Sequence, residues 1–515
     1  MAMDIRRRDL NRAALWLALC GWSAVRPLRA QPAPRWRSNP FTLGVASGQP
    51  RPDSVVLWTR LAADGEPALE ALERCAVRYE IFGDAELKRS VAQGEVQAEA
   101  ARAFSVHVHA QGLTPQREYW YRFQCGDAQS PVGRTRTAPA PDAAVARLRF
   151  ALGSCQNYEH GYYVAHRDIA GRDLDFVLFV GDYIYEGSSQ TPALRRHGAP
   201  IPTTLEGYRA RHALYKRDAD LQAAHAAHPW ILTWDDHEVV NDYANDRDPA
   251  YTEPGLFLQR RAAAYRAYFE HMPLLLPPQG AAMRIHDRFA WGRLADLWTL
   301  DCRQYRSHHA CPDPAHDWGR LVIGCEALAD PSRTMLGAEQ SSWLNQGLAA
   351  SGRQWKLLGQ STQMSPSSLE APRGRQFWTD GWDGYPQARR QLLQGIADAG
   401  LRDVVVLGGD VHRFVAADLR VAPNEAASPA VASEFVGGSI SSRGASRASM
   451  DALRRDNPDV VHARGDERGY ALIEATPKAL TCEFRATAHP VVADARFQTQ
   501  ARFTVEAGRA GVQQA

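Results

Sequence analysis

Four short apolar runs in this 515-residue chain each end in residues able to bind a metal ion. Asp175-Phe-Val-Leu-Phe-Val-Gly-Asp-Tyr-Ile-Tyr-Glu186 delivers Asp182, Tyr183 and Tyr185 just past a glycine. Leu148-Arg-Phe-Ala-Leu-Gly-Ser-Cys155 delivers Cys155, and Trp230-Ile-Leu-Thr-Trp-Asp-Asp-His-Glu238 delivers Asp235, Asp236 and His237. Asp403-Val-Val-Val-Leu-Gly-Gly-Asp-Val-His412 delivers Asp410 and His412. Runs of about five apolar residues are too short for helices and suit strands buried on both faces. In an open α/β sheet, chemistry collects beyond the carboxyl ends of such strands. Asp and Asn are hard ligands suited to calcium, magnesium or manganese, whereas thiolate, phenolate and imidazole favour a softer or more oxidised ion. Both ligand classes converge here, so two different metals side by side are expected, with Asp182 as the bridging carboxylate. A thiolate beside a phenolate points to ferric iron. Paired metals of this kind clamp a phosphoryl group and activate water for in-line attack.

The elements that must position these residues are read from patterning. From Arg147 onward strands alternate with helical spacing over 205–224, 256–271, 339–351 and 387–399, the mark of an α/β domain. Upstream, residues 54–60, 75–82, 103–109 and 118–123 alternate apolar and polar side chains, as half-buried antiparallel strands do. Leu113-Thr-Pro before Glu118-Tyr-Trp-Tyr-Arg-Phe123 resembles the corner of a fibronectin-III-like sandwich. The expected fold class is therefore multidomain α+β/α/β. A fibronectin-III-like β-sandwich is expected over 38–138, an α/β catalytic domain over 147–505 and a disordered tail over 506–515. His107 and His109 are expected to face solvent.

Residues 1–30 are expected to be a removable signal. Arg6-Arg7-Arg8-Asp9-Leu10 precedes a short apolar stretch, Ala13 to Trp22, and Leu28-Arg29-Ala30 marks a cleavage site. The arginine pair resembles a twin-arginine signal, so the export machinery for folded proteins is an expected partner and the expected location is periplasmic or secreted. The stretch is too short to span a bilayer, and no other segment is apolar enough. A net charge of +2 gives no case for a nucleic-acid partner. Without the leader, seven cysteines remain. With Cys155 reserved for metal, Cys75 and Cys125 are placed to bridge, and Cys302, Cys311, Cys325 and Cys482 allow three pairings.

The ordered motifs carry a resemblance over nearly the whole mature chain. They include Phe41-Thr-Leu-Gly-Val-Ala-Ser-Gly48, Val55-Val-Leu-Trp-Thr-Arg-Leu61, Gly153-Ser-Cys155, Gly181-Asp-Tyr-Ile-Tyr-Glu186 and Asp235-Asp-His-Glu-Val-Val-Asn241. Asp301-Cys-Arg-Gln-Tyr-Arg306, Glu339-Gln-Ser-Ser-Trp-Leu344, Trp382-Asp-Gly-Tyr-Pro386 and Gly409-Asp-Val-His412 continue the series. The chain resembles the PhoD-type alkaline phosphatase/phosphodiesterases, a branch of the calcineurin-like metallophosphoesterases. The resemblance implies a four-layer α/β/β/α catalytic domain with an Fe3+ site at Cys155, Asp182, Tyr185 and His412. It implies one or two Ca2+ ions at Asp182, Asp235, Asp236, Asn241 and Asp410. His237 is assigned to the leaving group, with Asp182 and Arg303 beside it as catalytic residues. Arg303 and Arg306 are read either as phosphate clamps or as structural ion pairs. Glu238 is expected to orient His237, Tyr183 to pack, Trp234 and Trp382 to line core or pocket, and His308 and His309 to lie at the surface.

The implied activity is hydrolysis of a small-molecule or lipid phosphoester outside the cytoplasm, for phosphate acquisition. The rivals are a phospholipase-D-like diesterase of the same fold, a dizinc or manganese phosphoesterase, and a non-catalytic cell-envelope binding protein.

Overall fold

The computed structural model describes residues 34–62, 67–189 and 193–515. The expected leader over 1–30 lies outside the described residues. The N-terminal region supplies β1 (Val45–Gly48), β2 (Ser54–Arg60), β3 (Arg74–Phe82), β4 (Ser90–Glu99), β5 (Ser105–Gln111), β6 (Glu118–Cys125), β7 (Ala128–Gln129) and β8 (Gly133–Arg136). Alternation puts Val55, Leu57, Val106 and Val108 from one side, and Val77, Ile81, Tyr121 and Phe123 from the other, into a shared core. Tyr119 holds the corner, its hydroxyl accepting the Thr114 N–H at 2.8 Å. The two sides belong to different sheets. β3, β4, β6, β7 and β8 form one sheet, whereas β1, β2 and β5 continue another that runs into the rest of the chain.

That continuation arises because β1 pairs in parallel with β11 (Pro229–Thr233), Ser47 opposite Pro229 and Gly48 opposite Trp230. Beyond β11 lie β10 (Phe176–Val180) and β9 (Leu148–Gly153), all parallel. The second large sheet carries β12 (Asp287–Trp291), β13 (Ala295–Thr299), β15 (Trp355–Gly359), β17 (Val404–Gly408), β18 (Phe414–Arg420), β19 (Ala430–Gly437) and β20 (Val460–Arg464). A short ribbon pairs β14 (Leu321–Val322) with β16 (Phe377–Trp378). β21 (Glu467–Ala475), β22 (Ala479–Ala488), β23 (Gln498–Glu506) and β24 (Gln513–Gln514) then extend the first sheet beyond β9. Residues 506–515 are thus not disordered: Thr504 pairs with Gln513, and Phe503 with Gln514.

Both faces of the central strands are buried, as unbroken apolar runs require. Phe150, Leu178 and Ile231 of the first sheet meet Leu297, Leu357, Val405 and Phe435 of the second. On the outer face of the first sheet, Val177, Phe179, Trp230 and Leu232 pack under helices Leu205–Lys216, Ala219–Ala227 and Pro254–His271. Helices Ala338–Ala349 and Pro386–Asp398 cover the second sheet through Leu344, Leu348, Leu392 and Ile396. The span 205–224, expected as one helix, is broken at Asp218. Its carboxylate caps a new helix by accepting the N–H groups of Asp220 and Leu221. No helix among the described residues is long and apolar enough to cross a membrane.

Cys311 and Cys325 form a disulfide. Cys302 and Cys482 are buried free thiols, and so are Cys75 and Cys125, which face each other without bridging.

Candidate metal centre and active site

Each sequence-predicted ligand at a strand end stands two residues beyond its strand. β9 stops at Gly153 before Cys155, β10 at Val180 before Asp182, β11 at Thr233 before Asp235, and β17 at Gly408 before Asp410. Cys155, Asp182, Asp410 and His412 adopt φ of 60°, 57°, 61° and 49°. Non-glycine residues in this left-handed region carry about 1–3 kcal/mol of strain each and cluster where function needs them.

Backbone bonds hold the strained corners. Cys155 N–H donates to the Gly181 carbonyl at 3.1 Å, and Gln156 N–H to the Asp182 carbonyl at 3.1 Å. Ser439 and Ser442 hydroxyls donate to the Cys155 carbonyl at 2.9 and 2.8 Å. Glu238, fully buried, accepts the N–H groups of Tyr183 (2.6 Å), Asp235 (2.9 Å) and Asp182 (3.2 Å). It ties the ends of β10 and β11 together and does not orient His237, which corrects the sequence reading. Two glycines allow the close approach. A Cβ at Gly181 would lie 2.5 Å from that of Asp235, and one at Gly409 would lie 2.7 Å from Ser154 Oγ. Gly409→Ala should wedge the two sheets' loops apart and lower kcat/KM by about 10²-fold, the scale of a 1 Å misplacement. Steady-state kinetics on an aryl phosphoester checks this.

Cys155 Sγ and ligand atoms of Asp182 and His412 lie within 4.8 Å of one another. Tyr185 joins them, its hydroxyl 2.7 Å from Asp182 Oδ2 and 2.9 Å from His412 Nε2. Ser442 Oγ lies 2.8 Å from the same phenolic oxygen. His412 Nδ1 donates to the Arg443 carbonyl at 2.7 Å, which leaves Nε2 as the acceptor facing the cluster. Burial, then the Asp182 charge, holds the Cys155 thiol and Tyr185 phenol well above their ordinary pKa values. Both keep their protons until a cation replaces them.

The second half of the site is acidic. Asp182, Asp236 and His237 converge, and so do Asp236, Asp242 and Asp380. Asp235 accepts from Arg303 Nε at 2.5 Å, and Asp410 from the Thr362 hydroxyl at 2.7 Å. Burial, reinforced by neighbouring carboxylates, drives the Asp235 and Asp410 pKa values well up. Asp182 Oδ1 and Asp235 Oδ2 are buried with no hydrogen-bond partner. Orphaned carboxylate oxygens in an anionic cavity are what a divalent cation would satisfy, so these residues fit metal ions. Asn241 lies on the same loop, its backbone N–H donating to Glu186 Oε1 at 2.8 Å.

His237 Nδ1 contacts Glu186 Oε2 at 2.6 Å, and its ring packs on Tyr185 with centroids 4.1 Å apart. Burial alone would depress the His237 pKa, but Glu186, Asp236 and Asp182 raise it well above the ordinary value. The imidazole is thereby kept protonated and aimed by Glu186. Glu186→Gln should cost 10–100-fold in kcat/KM, the usual scale for a group that orients a site histidine, with little change in thermal midpoint.

Arg303 is not placed to grip substrate. It is 1% exposed, and its NH1 and NH2 donate to the two oxygens of Asp380 at 2.8 and 2.9 Å while Nε holds Asp235. Arg306 is equally buried against Asp380. Trp234 and Trp382 are core, and Tyr183 is buried with its hydroxyl on His225. His308 meets Asp246 near the surface, but His309 is buried. His107 is half-buried too, stacked on Phe269. Glu186, Asp242, Asp380 and Ser442 escaped the sequence reading. Glu186 alone had a signal, since it closes the Asp175–Glu186 stretch.

The model of the family PhoD-like phosphatase matches residues 150–484, and that of its N-terminal domain matches residues 27–139. Alkaline phosphatase D of Bacillus subtilis (strain 168) is 40% identical, over 97% of this chain and 86% of that protein. A solved structure described as the structure of PhoD superposes with a TM-score of 0.89 at 40% identity, covering 94% of this chain and 93% of the other. On these matches and this site, the chain belongs to the PhoD-like phosphatases and is a phosphoric-ester hydrolase.

Proposed function

We propose that the protein is an exported alkaline phosphatase/phosphodiesterase with a mixed Fe3+/Ca2+ centre, scavenging phosphate from small-molecule or lipid phosphoesters. The observation that carries this is the thiol, phenol and imidazole gathered on one side of Asp182, with unpartnered carboxylate oxygens on the other. Cys155, Tyr185, His412 and Asp182 would hold the ferric ion, because anionic sulfur and oxygen donors stabilise a trivalent charge. Asp182, Asp235, Asp236, Asn241 and Asp410 would hold calcium. When bound, such ions neutralise phosphoryl oxygens and lower the pKa of the attacking water.

The chain's own groups supply the rest. Glu186 fixes His237 so that Nε2 can give a proton to the departing alcohol. Glu238 keeps Asp182 and Asp235 in register, and the strained corners aim the ligands inward. Export on the twin-arginine route fits a centre assembled before translocation, and Arg6-Arg7 is the motif that supports it. We read the two-sheet N-terminal region as fibronectin-III-like, and the sheet pair with its covering helices as the four-layer α/β/β/α domain.

Metal analysis of protein exported and purified without added metals tests the reading. About one iron with one or two calcium ions per chain is expected. Zinc or manganese without iron overturns the ligand roles.

A further inference from the structure

One run of buried charges, unused in the chemistry above, reaches from the surface to Asp235. Arg247, 33% exposed at its side chain, faces Asp317 at 3.6 Å. Asp317 Oδ1 is 3.1 Å from His309 Nδ1, and His309 Nε2 is 2.9 Å from Asp380 Oδ1. Asp380 takes the Arg303 fork, and Arg303 Nε reaches Asp235 Oδ1 at 2.5 Å. Arg303 NH2 also lies 3.5 Å from Asp236 Oδ2. From Asp317 to Asp235 no side chain is more than 2% exposed, and acidic and basic side chains alternate along the run.

We propose that His309 is a positioning residue for the carboxylate half of the metal centre, coupling the disulfide-closed loop Cys311–Cys325 to Asp235 and Asp236 through Asp380 and Arg303. Asp317 belongs to that loop, and its backbone is pinned by donation to the Pro249 carbonyl at 3.0 Å. The imidazole bridges Asp317 to Asp380 with a carboxylate at each ring nitrogen, and Arg306 packs against the same edge, 3.0 Å from Nε2. Asp380 has only two oxygens for Arg303, Arg306 and His309, so its orientation sets that of the Arg303 fork. The fork in turn fixes Asp235, whose other oxygen is left pointing into the site without a partner. A glutamine at 309 cannot reach Asp317 and Asp380 from opposite sides of one rigid ring, so Asp380 and Arg303 are free to tilt.

The inference rests on the reading that Asp235, Asp236 and Asp410 hold a divalent ion. The test is chelator titration of the purified full-length metalloprotein, following calcium release, iron content and thermal midpoint together. His309→Gln should release calcium at 10–100-fold lower chelator concentration, with iron content unchanged. His308→Gln, at the neighbouring surface position, should behave as the wild type. Should His309→Gln fail to fold, Asp317→Asn and Cys311→Ser/Cys325→Ser carry the same expectation. Calcium release like the wild type's, or iron and calcium lost in parallel, overturns the proposal. A wild type that holds another divalent ion instead of calcium sinks the metal assignment, while release of that ion still decides the role of His309. A chain that holds no divalent ion overturns both.

Discussion

Replacing Cys155 by alanine is expected to lower kcat/KM by about 10³-fold, equivalent to about 4 kcal/mol of transition-state stabilisation. The thiol is fully buried, sits in a left-handed corner and has Asp182 and His412 ligand atoms within 4.8 Å. Its loss removes the one sulfur donor and leaves Tyr185, Asp182 and His412 as a three-residue set. If those four residues hold ferric iron, iron content falls with activity, and thiolate and phenolate absorption disappear together. Thermal stability of the metal-free protein should hardly move, because alanine fits the left-handed corner no worse than cysteine. Full activity in Cys155→Ala would show that the thiol is only a buried side chain.

The second large effect is on stability. Arg303→Met is expected to cost about 3–5 kcal/mol in the metal-free protein, the scale for breaking a buried ion pair by removing one partner. Asp235 would lose its counter-charge, Asp236 one of its two cationic neighbours, and Asp380 one of three partners, keeping Arg306 and His309. Urea unfolding with and without metal checks this, and added divalent ions should recover part of the loss by binding the native carboxylates. The same protein has a pH dependence of known sign. Burial and the Asp182 charge push Glu238 up to about 8, against the N–H groups that it accepts. A carboxyl whose folded pKa exceeds its unfolded value, near 4.3, binds its proton more tightly when folded. That stability is fully present below about pH 4 and is lost as pH rises through about 8. Metal-stripped protein should therefore lose stability towards pH 8, and metal loading should flatten the trend.

The strand-end ligands were legible because each follows a short, largely apolar run, and three of the four runs end at a glycine. Buried strands, their ends and the ligand types could all be read from types and spacing. What could not be read depends on partners far along the chain. His237 is oriented by Glu186 across 51 positions, and Arg303 meets Asp380 across 77. A guanidinium near acidic motifs serves phosphate or carboxylate equally well, and only burial decides. His309 looked like a surface loop residue because its sequence neighbours are polar and cysteine-flanked. The β24 pairing was invisible because Gln513 and Gln514 add backbone bonds without any apolar pattern. β4 escaped for a similar reason, as its inward positions are Ala92, Gly94, Val96 and Ala98, with no large apolar side chain among them, and Val91 faces outward.

The parallel pairing of β1 with β11 bears on how the gene can be cut. A strand that carries Asp235 at its far end has the N-terminal region as its lateral neighbour, so a cut near residue 140 would separate strands that pair with each other. A catalytic fragment expressed alone would present the edge of β11 to solvent, an invitation to aggregate. Swapping the N-terminal region between relatives would have to carry the Ser47–Pro229 and Gly48–Trp230 register with it.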